Sequence, residues 1–143
     1  MRALLDVNVL IAMLDQAHPH HEPAMSWFKA NIKQGWASCP ITQNGCIRIM
    51  SQASYPGARP VAQIVDRLND AIVHPAHQFW PDDASIADPR IVDATKVHSA
   101  RQITDTYLLS LAVKHQGRLV TFDSGIALNA VKGATTKHLV NLI

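Results

Sequence analysis

The sequence predicts an α/β fold in which a mostly parallel sheet is covered by helices on both faces. Short apolar segments alternate along the chain with segments whose apolar residues recur at helical spacing, and several helical segments end at glycine. With 143 residues, the chain is large enough to bury one hydrophobic core. We therefore expect a single domain that spans residues 1–143.

The predicted sheet has four to five short strands, each built mainly from apolar or aromatic residues. The clearest are Ala3 to Leu5 and Arg118 to Phe122, and each is followed directly by an aspartate. Pro81 ends a candidate third strand, and the residues from there to Ser99 show no regular pattern. In chain order the candidate strands are residues 3–5, 36–39, 77–80, 118–122 and 138–143.

Helices are predicted between these strands. Thr42 is expected to cap a helix that begins at Gln43, and Thr104 is expected to cap the helix that ends before Gly117. The segment Val61 to Ile72 is clearly amphipathic, with one continuous apolar stripe. The other predicted helices are residues 7–14, 22–32 and 127–131.

The composition excludes several classes of protein. A hydrophobic fraction of 48% with 17% charged residues is typical of a globular protein and excludes a disordered chain. No segment approaches the ~20 apolar residues of a membrane span, and no apolar leader precedes Asp6, so we expect a cytoplasmic protein without membrane contact. The net charge of +2 is too small to bind nucleic acid by charge alone, so any contact with nucleic acid must be local.

Three aspartates are the strongest functional signal in the sequence. Asp6 and Asp123 each follow an apolar strand, and Asp105 lies in the first turn of a predicted helix, where the helix dipole favours a negative charge. In a parallel α/β fold these positions meet at one edge of the sheet. Carboxylates that converge repel one another unless a cation lies between them, and ligands that are all oxygens favour Mg²⁺ or Mn²⁺. The sequence therefore predicts metal-assisted phosphodiester chemistry.

Two other groups of candidate ligands have simpler interpretations. Cys39 and Cys46 lack the spacing of a metal or redox motif, so we expect reduced and buried thiols. His18, His20 and His21 adjoin a proline and precede a helix, so we interpret them as a solvated segment and not as a metal site.

Four segments carry a resemblance to a known family. They are residues 4–11, 42–48, 101–109 and 119–123. In this order they resemble the successive motifs of PIN-domain ribonucleases, and most of all the VapC toxins of bacterial toxin–antitoxin pairs. The resemblance extends from residue 4 to residue 123, and four motifs in one order are far more specific than any one of them.

The resemblance implies a three-layer α/β/α sandwich and an endoribonuclease toxin that depends on Mg²⁺ or Mn²⁺. It also implies an RNA substrate, a homodimer, and a VapB-type antitoxin that holds the toxin inactive. Asp6, Asp105 and Asp123 match the metal-binding acids of the family, and Asn8 matches a polar residue that supports the first of them. The apolar stripe of residues 61–72 is interpreted as core, with an antitoxin or dimer contact as the alternative.

At one catalytic position the chain departs from the family. Where the family usually has glutamate after threonine, this chain has Gln43. An amide oxygen can contact a cation or accept a hydrogen bond, but it has no charge and cannot take a proton from water. We therefore expect weaker metal binding and reduced activity. The alternative is a weakened PIN-like domain that acts mainly by binding RNA or antitoxin.

Two arginines are candidate supporting residues. A guanidinium group suits phosphate and carboxylate equally well, so Arg48 and Arg101 are candidates for contact with RNA or with the antitoxin. An ion pair between Arg48 and an acid of the site is a further interpretation.

Two other enzyme classes also begin with an acid after a strand. Haloacid-dehalogenase phosphatases need a second acid two residues later, where this chain has Asn8. Receiver domains need paired acids and a lysine after a late strand, and no lysine follows Phe122 there. Both classes are disfavoured.

Overall fold

The fold, described for residues 1–143 by a computed structural model, alternates strands and helices along the chain. The strands are Ala3–Leu5 (β1), Trp36–Ser38 (β2), His77–Phe79 (β3), Arg118–Thr121 (β4) and Leu139–Asn141 (β5). The α-helices are Val7–Leu14 (α1), His21–Asn31 (α2), Pro40–Met50 (α3), Val61–Ile72 (α4) and Ile103–Lys114 (α5). No helix combines the length and the apolar character needed to cross a bilayer.

All five strands form one parallel sheet with the order β3-β2-β1-β4-β5. In its centre Leu4 pairs with Ala37 on one side and with Leu119 on the other. The chain thus builds the sheet outward from β1 in both directions, and the strand order reverses between β1 and β4. In open α/β sheets, ligands bind beyond the carboxyl ends of the strands at such a reversal.

Two hydrophobic clusters cover the two faces of the sheet. Leu5 and Val120 belong to the cluster under α1 to α4, whereas Leu4 and Leu119 belong to the cluster under α5. Neighbouring residues separate in this way because successive side chains of a strand point to opposite faces. The predicted α/β/α sandwich with a parallel sheet is confirmed.

Helix α4 covers the core with only part of its apolar stripe. Ile64 and Leu68 are buried, but Val61 is 55% exposed. Trp27 and Phe28 of α2 are half-buried against the cluster under α1 to α4. The interpretation of the stripe as core therefore holds for its middle turns and not for its first residue.

The predicted starts of two helices are wrong. Helix α3 begins at Pro40, and the backbone N–H of Cys39 donates to Thr42 Oγ1 at 2.9 Å, so Thr42 closes the first turn from inside the helix. Proline suits the first helical position because its φ angle is already helical. Helix α5 begins at Ile103 after Gln102, which leaves Asp105 in its first turn as predicted.

Helices α1 and α3 approach each other closely at Gly45. A Cβ atom built on Gly45 would lie 2.9 Å from Cγ2 of Val7, closer than packed carbon atoms allow. Glycine is therefore required here for α3 to lie against the first turn of α1. This contact supports the residue that directly follows Asp6.

Both cysteines are buried free thiols. Burial raises the pKa of Cys39 and raises that of Cys46 to about 12. A raised pKa leaves little of the reactive thiolate at neutral pH, and the expected burial of both cysteines is confirmed.

Candidate active site

Asp6 lies between β1 and α1, where its side chain caps the helix. Its Oδ1 accepts a hydrogen bond of 2.7 Å from the backbone N–H of Val7, and its Oδ2 accepts one of 2.8 Å from Thr121 Oγ1. The residue is only 7% exposed. Burial raises the pKa of Asp6, the charge of Asp123 acts in the same direction, and the two hydrogen bonds oppose them. Asp6 is thus held in one orientation at the reversal of strand order.

Asp123 is fixed by the loop that leaves β4. Its backbone N–H donates to Thr121 Oγ1 at 3.0 Å, and its Oδ1 accepts a hydrogen bond of 2.7 Å from the N–H of Gly125. Thr121 is fully buried, whereas Asp123 is exposed. The hydroxyl of Thr121 therefore contacts both acid-bearing segments and sets their spacing.

Asp105 reaches the same place from the first turn of α5. The pKa of Asp105 is raised to about 7, and burial is the largest cause. The charge of Asp6, a hydrogen bond with Asp123 and the charge of Asp123 act in the same direction. The three carboxyl groups are thus near enough for their charges to act on one another. The structure therefore brings together the three acids that the sequence predicts to converge.

The acids lie at the edge of the sheet where β1 and β4 end, and Asp105 reaches it from the first turn of α5. Two cavities of about 460 and 520 Å³ lie elsewhere: one is lined by residues that include Tyr55 and Arg67, the other by residues that include Val97 and Ile103. Neither cavity is lined by any of the three acids. As they stand, no three His, Cys, Asp or Glu side chains form a set that could hold a metal ion.

The side chain of Gln43 is engaged in a polar chain beside this edge. Its Nε2 donates to Ser38 Oγ at 2.9 Å, and Ser38 Oγ lies 2.8 Å from Nε2 of His77. Burial lowers the pKa of His77, which favours a neutral ring. The amide nitrogen of Gln43 thus binds Ser38, whereas its amide oxygen takes no part in this row of hydrogen bonds.

The three predicted supporting residues form no hydrogen bond or salt bridge with the acids. Asn8, Arg48 and Arg101 are all exposed. The hydrogen bonds that Asp6 and Asp123 receive come instead from backbone N–H groups and from the hydroxyl of Thr121. A role for these three residues would therefore involve a bound partner or substrate and not the internal structure of the site.

Sequence reasoning missed Thr121 and the pair of Ser38 and His77. Thr121 had a signal, because a polar residue at the end of an apolar strand and two positions before Asp123 points to the same side of the strand as that acid. Ser38 and His77 had none, because their contact depends on the pairing of β2 with β3.

The histidine segment, interpreted from the sequence as solvated, is only partly solvated. His18, His20 and His21 are each partly buried. Nδ1 of His21 lies 2.7 Å from the carbonyl oxygen of Ala12, and the ring of His20 lies 5.0 Å from that of Phe122. These rings belong to the packed structure beside the end of β4.

Comparison with known proteins identifies the family of this chain. The PIN domain family matches residues 3–132. Ribonuclease VapC44 of Mycobacterium tuberculosis is 53% identical over 142 residues, which cover 99% of this chain and 100% of the relative.

Two solved structures share the fold at low sequence identity. FitAcB from Neisseria gonorrhoeae has a TM-score of 0.61 at 19% identity and covers 98% of this chain and 97% of its own. VapBC2 from Rickettsia felis, solved bound to a DNA fragment from their promoter, has a TM-score of 0.58 at 14% identity and covers 86% and 89%. The chain therefore belongs to the PIN domain family and, within it, to the VapC-type ribonucleases.

Proposed function

We propose that this protein is an endoribonuclease toxin that hydrolyses phosphodiester bonds of RNA at the edge where Asp6, Asp105 and Asp123 converge. The observation that carries the proposal is this convergence, at the reversal of strand order, in a chain 53% identical to a protein named as a ribonuclease. That name favours catalysis over the alternative of a domain that only binds RNA or antitoxin.

We also propose that the activity depends on Mg²⁺ or Mn²⁺ held by Asp6, Asp105 and Asp123. The chemistry of the donors fits, since all are carboxylate oxygens and their mutual repulsion would be relieved by a cation. Because these side chains do not form a ready set of direct ligands, we expect part of the contact to run through bound water. A divalent ion held there supplies an acidified water and screens charge at the phosphate.

The residues of the chain itself position these acids. Thr121 fixes Asp6 through its hydroxyl and receives the N–H of Asp123, so neither segment can move away independently. The N–H of Val7 holds the second oxygen of Asp6. Such preorganisation lowers the cost of assembling the site when substrate arrives. No nucleophilic side chain of the protein is needed for hydrolysis.

Gln43 is proposed to reduce the activity without abolishing it. Its amide has no charge to offer a cation, and its nitrogen is occupied by Ser38. A glutamate at this position would add a fourth negative charge near the edge. Three aspartates remain, which is enough to hold one divalent ion with water completing its shell.

We propose a VapB-type antitoxin as partner, a homodimer as the assembled form and the cytoplasm as the place of action. Support comes from the family resemblance and from the likeness of this fold to VapBC2, which was solved as an assembly. The exposed end of the α4 stripe, with Val61 55% exposed, is available for such contacts. Co-expression with the product of the neighbouring gene should give a complex that purifies as one species.

The direct test is RNA cleavage by the purified protein. We expect cleavage of single-stranded RNA with Mg²⁺ or Mn²⁺, none with EDTA, and no cleavage of DNA of the same sequence. Failure to cut a broad pool of cellular RNA with either metal would leave the proposal without its main claim.

A further inference from the structure

Three aromatic rings lie in a row beside the end of β4. The rings of His18 and His20 are 5.8 Å apart and tilted by 47°, and those of His20 and Phe122 are 5.0 Å apart and tilted by 39°. All three residues are partly exposed. We call His18, His20 and Phe122 the aromatic ladder.

The ladder is held by local hydrogen bonds. The backbone N–H of His20 donates to Nδ1 of His18 at 3.0 Å, and the N–H of Ala17 donates to Asp15 Oδ1 at 2.9 Å in the same turn. Beyond the turn, the ring of His21 is bound to the carbonyl of Ala12. A surface that is ordered in advance loses little conformational entropy when a ligand settles on it.

The ladder leads away from the catalytic edge. Phe122 is the residue between Thr121 and Asp123, and successive Cα atoms are only about 3.8 Å apart. Its ring packs with the cluster under α1 to α4, whereas the hydroxyl of Thr121 turns toward Asp6. Because Phe122 directly precedes Asp123, the ladder begins one residue away from an acid of the site, within reach of a nucleotide next to a phosphate bound there.

These rings are better suited to stacking than to metal binding. Nδ1 of His18 is already an acceptor, and the ladder forms no metal-holding set with other side chains. Burial lowers the pKa of His18, which favours its neutral ring. Aromatic rings stack on nucleobases without regard to sequence, because every base has a π-face.

We propose that the aromatic ladder binds an unpaired nucleobase of the RNA, next to the phosphate that lies at the acids. This proposal rests on the proposed ribonuclease function and adds to it a site for the substrate. It makes His20, the middle ring, a substrate-binding residue that does not take part in the chemistry. The alternative ligand of the aromatic ladder is a side chain of the antitoxin.

The experiment measures RNA affinity without cleavage. Protein is titrated into short, fluorescently labelled single-stranded RNAs, and binding is followed by fluorescence anisotropy. All the proteins carry Asp105→Asn, and at position 20 they carry the native histidine, His20→Ala or His20→Phe. A second series of RNAs carries one abasic nucleotide, moved stepwise along the strand. His74→Ala is the matched control. His74 is an exposed histidine just before the start of β3, the outermost strand on the side of the sheet away from β4.

We expect His20→Ala to weaken binding on the order of 10- to 100-fold, and His20→Phe to remain within about 3-fold of the parent. The loss should vanish for one abasic position, since no base is then present to stack. His74→Ala should bind like the parent, and thermal melting should confirm that every variant is folded.

Three outcomes would overturn the proposal. One is an equal loss with His20→Ala at every abasic position. Another is an unchanged affinity for RNA in His20→Ala while antitoxin binding falls, which would assign the ladder to the antitoxin. The third is loss of the parent activity itself: if protein with all native residues neither binds nor cuts RNA, the proposed function fails together with the ladder.

Discussion

Thr121 donates a hydrogen bond of 2.8 Å to the carboxylate of Asp6, and this bond joins two residues that are 115 positions apart in the sequence. The same hydroxyl oxygen accepts the N–H of Asp123 at 3.0 Å. A single buried side chain therefore sets the spacing of two acids that arrive from different strands. The geometry of the site depends on a residue that carries no charge.

Replacement of Thr121 by valine is the first test of this arrangement. Valine keeps the shape of the side chain but leaves buried Asp6 without its donor, so Thr121→Val should lower the free energy of unfolding by about 1.5–3 kcal/mol. RNA cleavage should fall at least about tenfold because Asp6 loses its fixed orientation. Urea denaturation and initial cleavage rates provide the measurements.

Thr106→Val is the matched control for stability. Thr106 is equally buried, but its hydroxyl has no hydrogen-bond partner, so its replacement should be neutral or stabilising. If the two valine variants were equally stable, the hydrogen bond to Asp6 would have no structural importance.

The stability of the metal-free protein should depend on pH through Asp105. Its pKa is raised from 3.8 to about 7 in the folded protein, so the folded state keeps a proton that the unfolded chain has already lost. This stabilisation is complete below about pH 4 and is lost as the pH rises through 7. Asp6, whose pKa is also raised, contributes in the same direction.

Thermal melting in EDTA between pH 4.5 and 8 measures this effect. The melting temperature of Asp105→Asn should change less with pH over this range than that of the native sequence, because asparagine does not titrate. Parallel pH profiles for the two proteins would contradict the raised pKa of Asp105.

The contact between α1 and α3 should not tolerate a methyl group. Gly45→Ala would place its Cβ 2.9 Å from a methyl of Val7, whose branched side chain has little freedom to move. The helix propensity of alanine favours the change by about 1 kcal/mol, but overpacking should destabilise by about 1–3 kcal/mol. Adding Val7→Ala should restore part of the loss, and a double-mutant cycle measures it. If the changes in the free energy of unfolding were additive, the steric contact between Val7 and a Cβ at position 45 would have no energetic cost.

Changing Gln43 to glutamate tests the departure from the family. Gln43→Glu should increase cleavage at limiting Mn²⁺ because it adds a negative charge near the cation. It should also cost about 1 kcal/mol of stability, since a carboxylate cannot donate to Ser38. Gln43→Met should lose the same hydrogen bond without the gain in rate. Equal rates for glutamine and glutamate would mean that three aspartates suffice.

Much of the fold was predictable from local patterns. Apolar runs that end in an acid marked β1 and β4, and the stripe in Val61 to Ile72 matches the bounds of α4. The starts of α3 and α5 were less predictable, because Cys39 and Gln102 are weak capping residues and threonines lay nearby. Capping preference is a statistical signal, and here Pro40 was the stronger one.

The positions of the three acids were predictable, and among the contacts around them only that of Thr121 had a signal in the sequence. Asp6, Asp105 and Asp123 lie at element ends, which the sequence marks. The contact of Ser38 with His77 and the stacking of His20 on Phe122 join segments that are far apart in the sequence. Such contacts follow only from strand order and packing, so a single sequence carries no local trace of them.

The most direct test of the central claim is the metal-dependent rate of RNA cleavage by the native sequence and by Asp6→Asn, Asp105→Asn and Asp123→Asn. Asp66→Asn, at an exposed position on α4, serves as the control. If the three carboxylates share one divalent ion, each site variant should lose roughly 100-fold or more in rate at a fixed Mn²⁺ concentration, while the control keeps its rate. Unchanged cleavage in Asp6→Asn or Asp105→Asn would contradict the account.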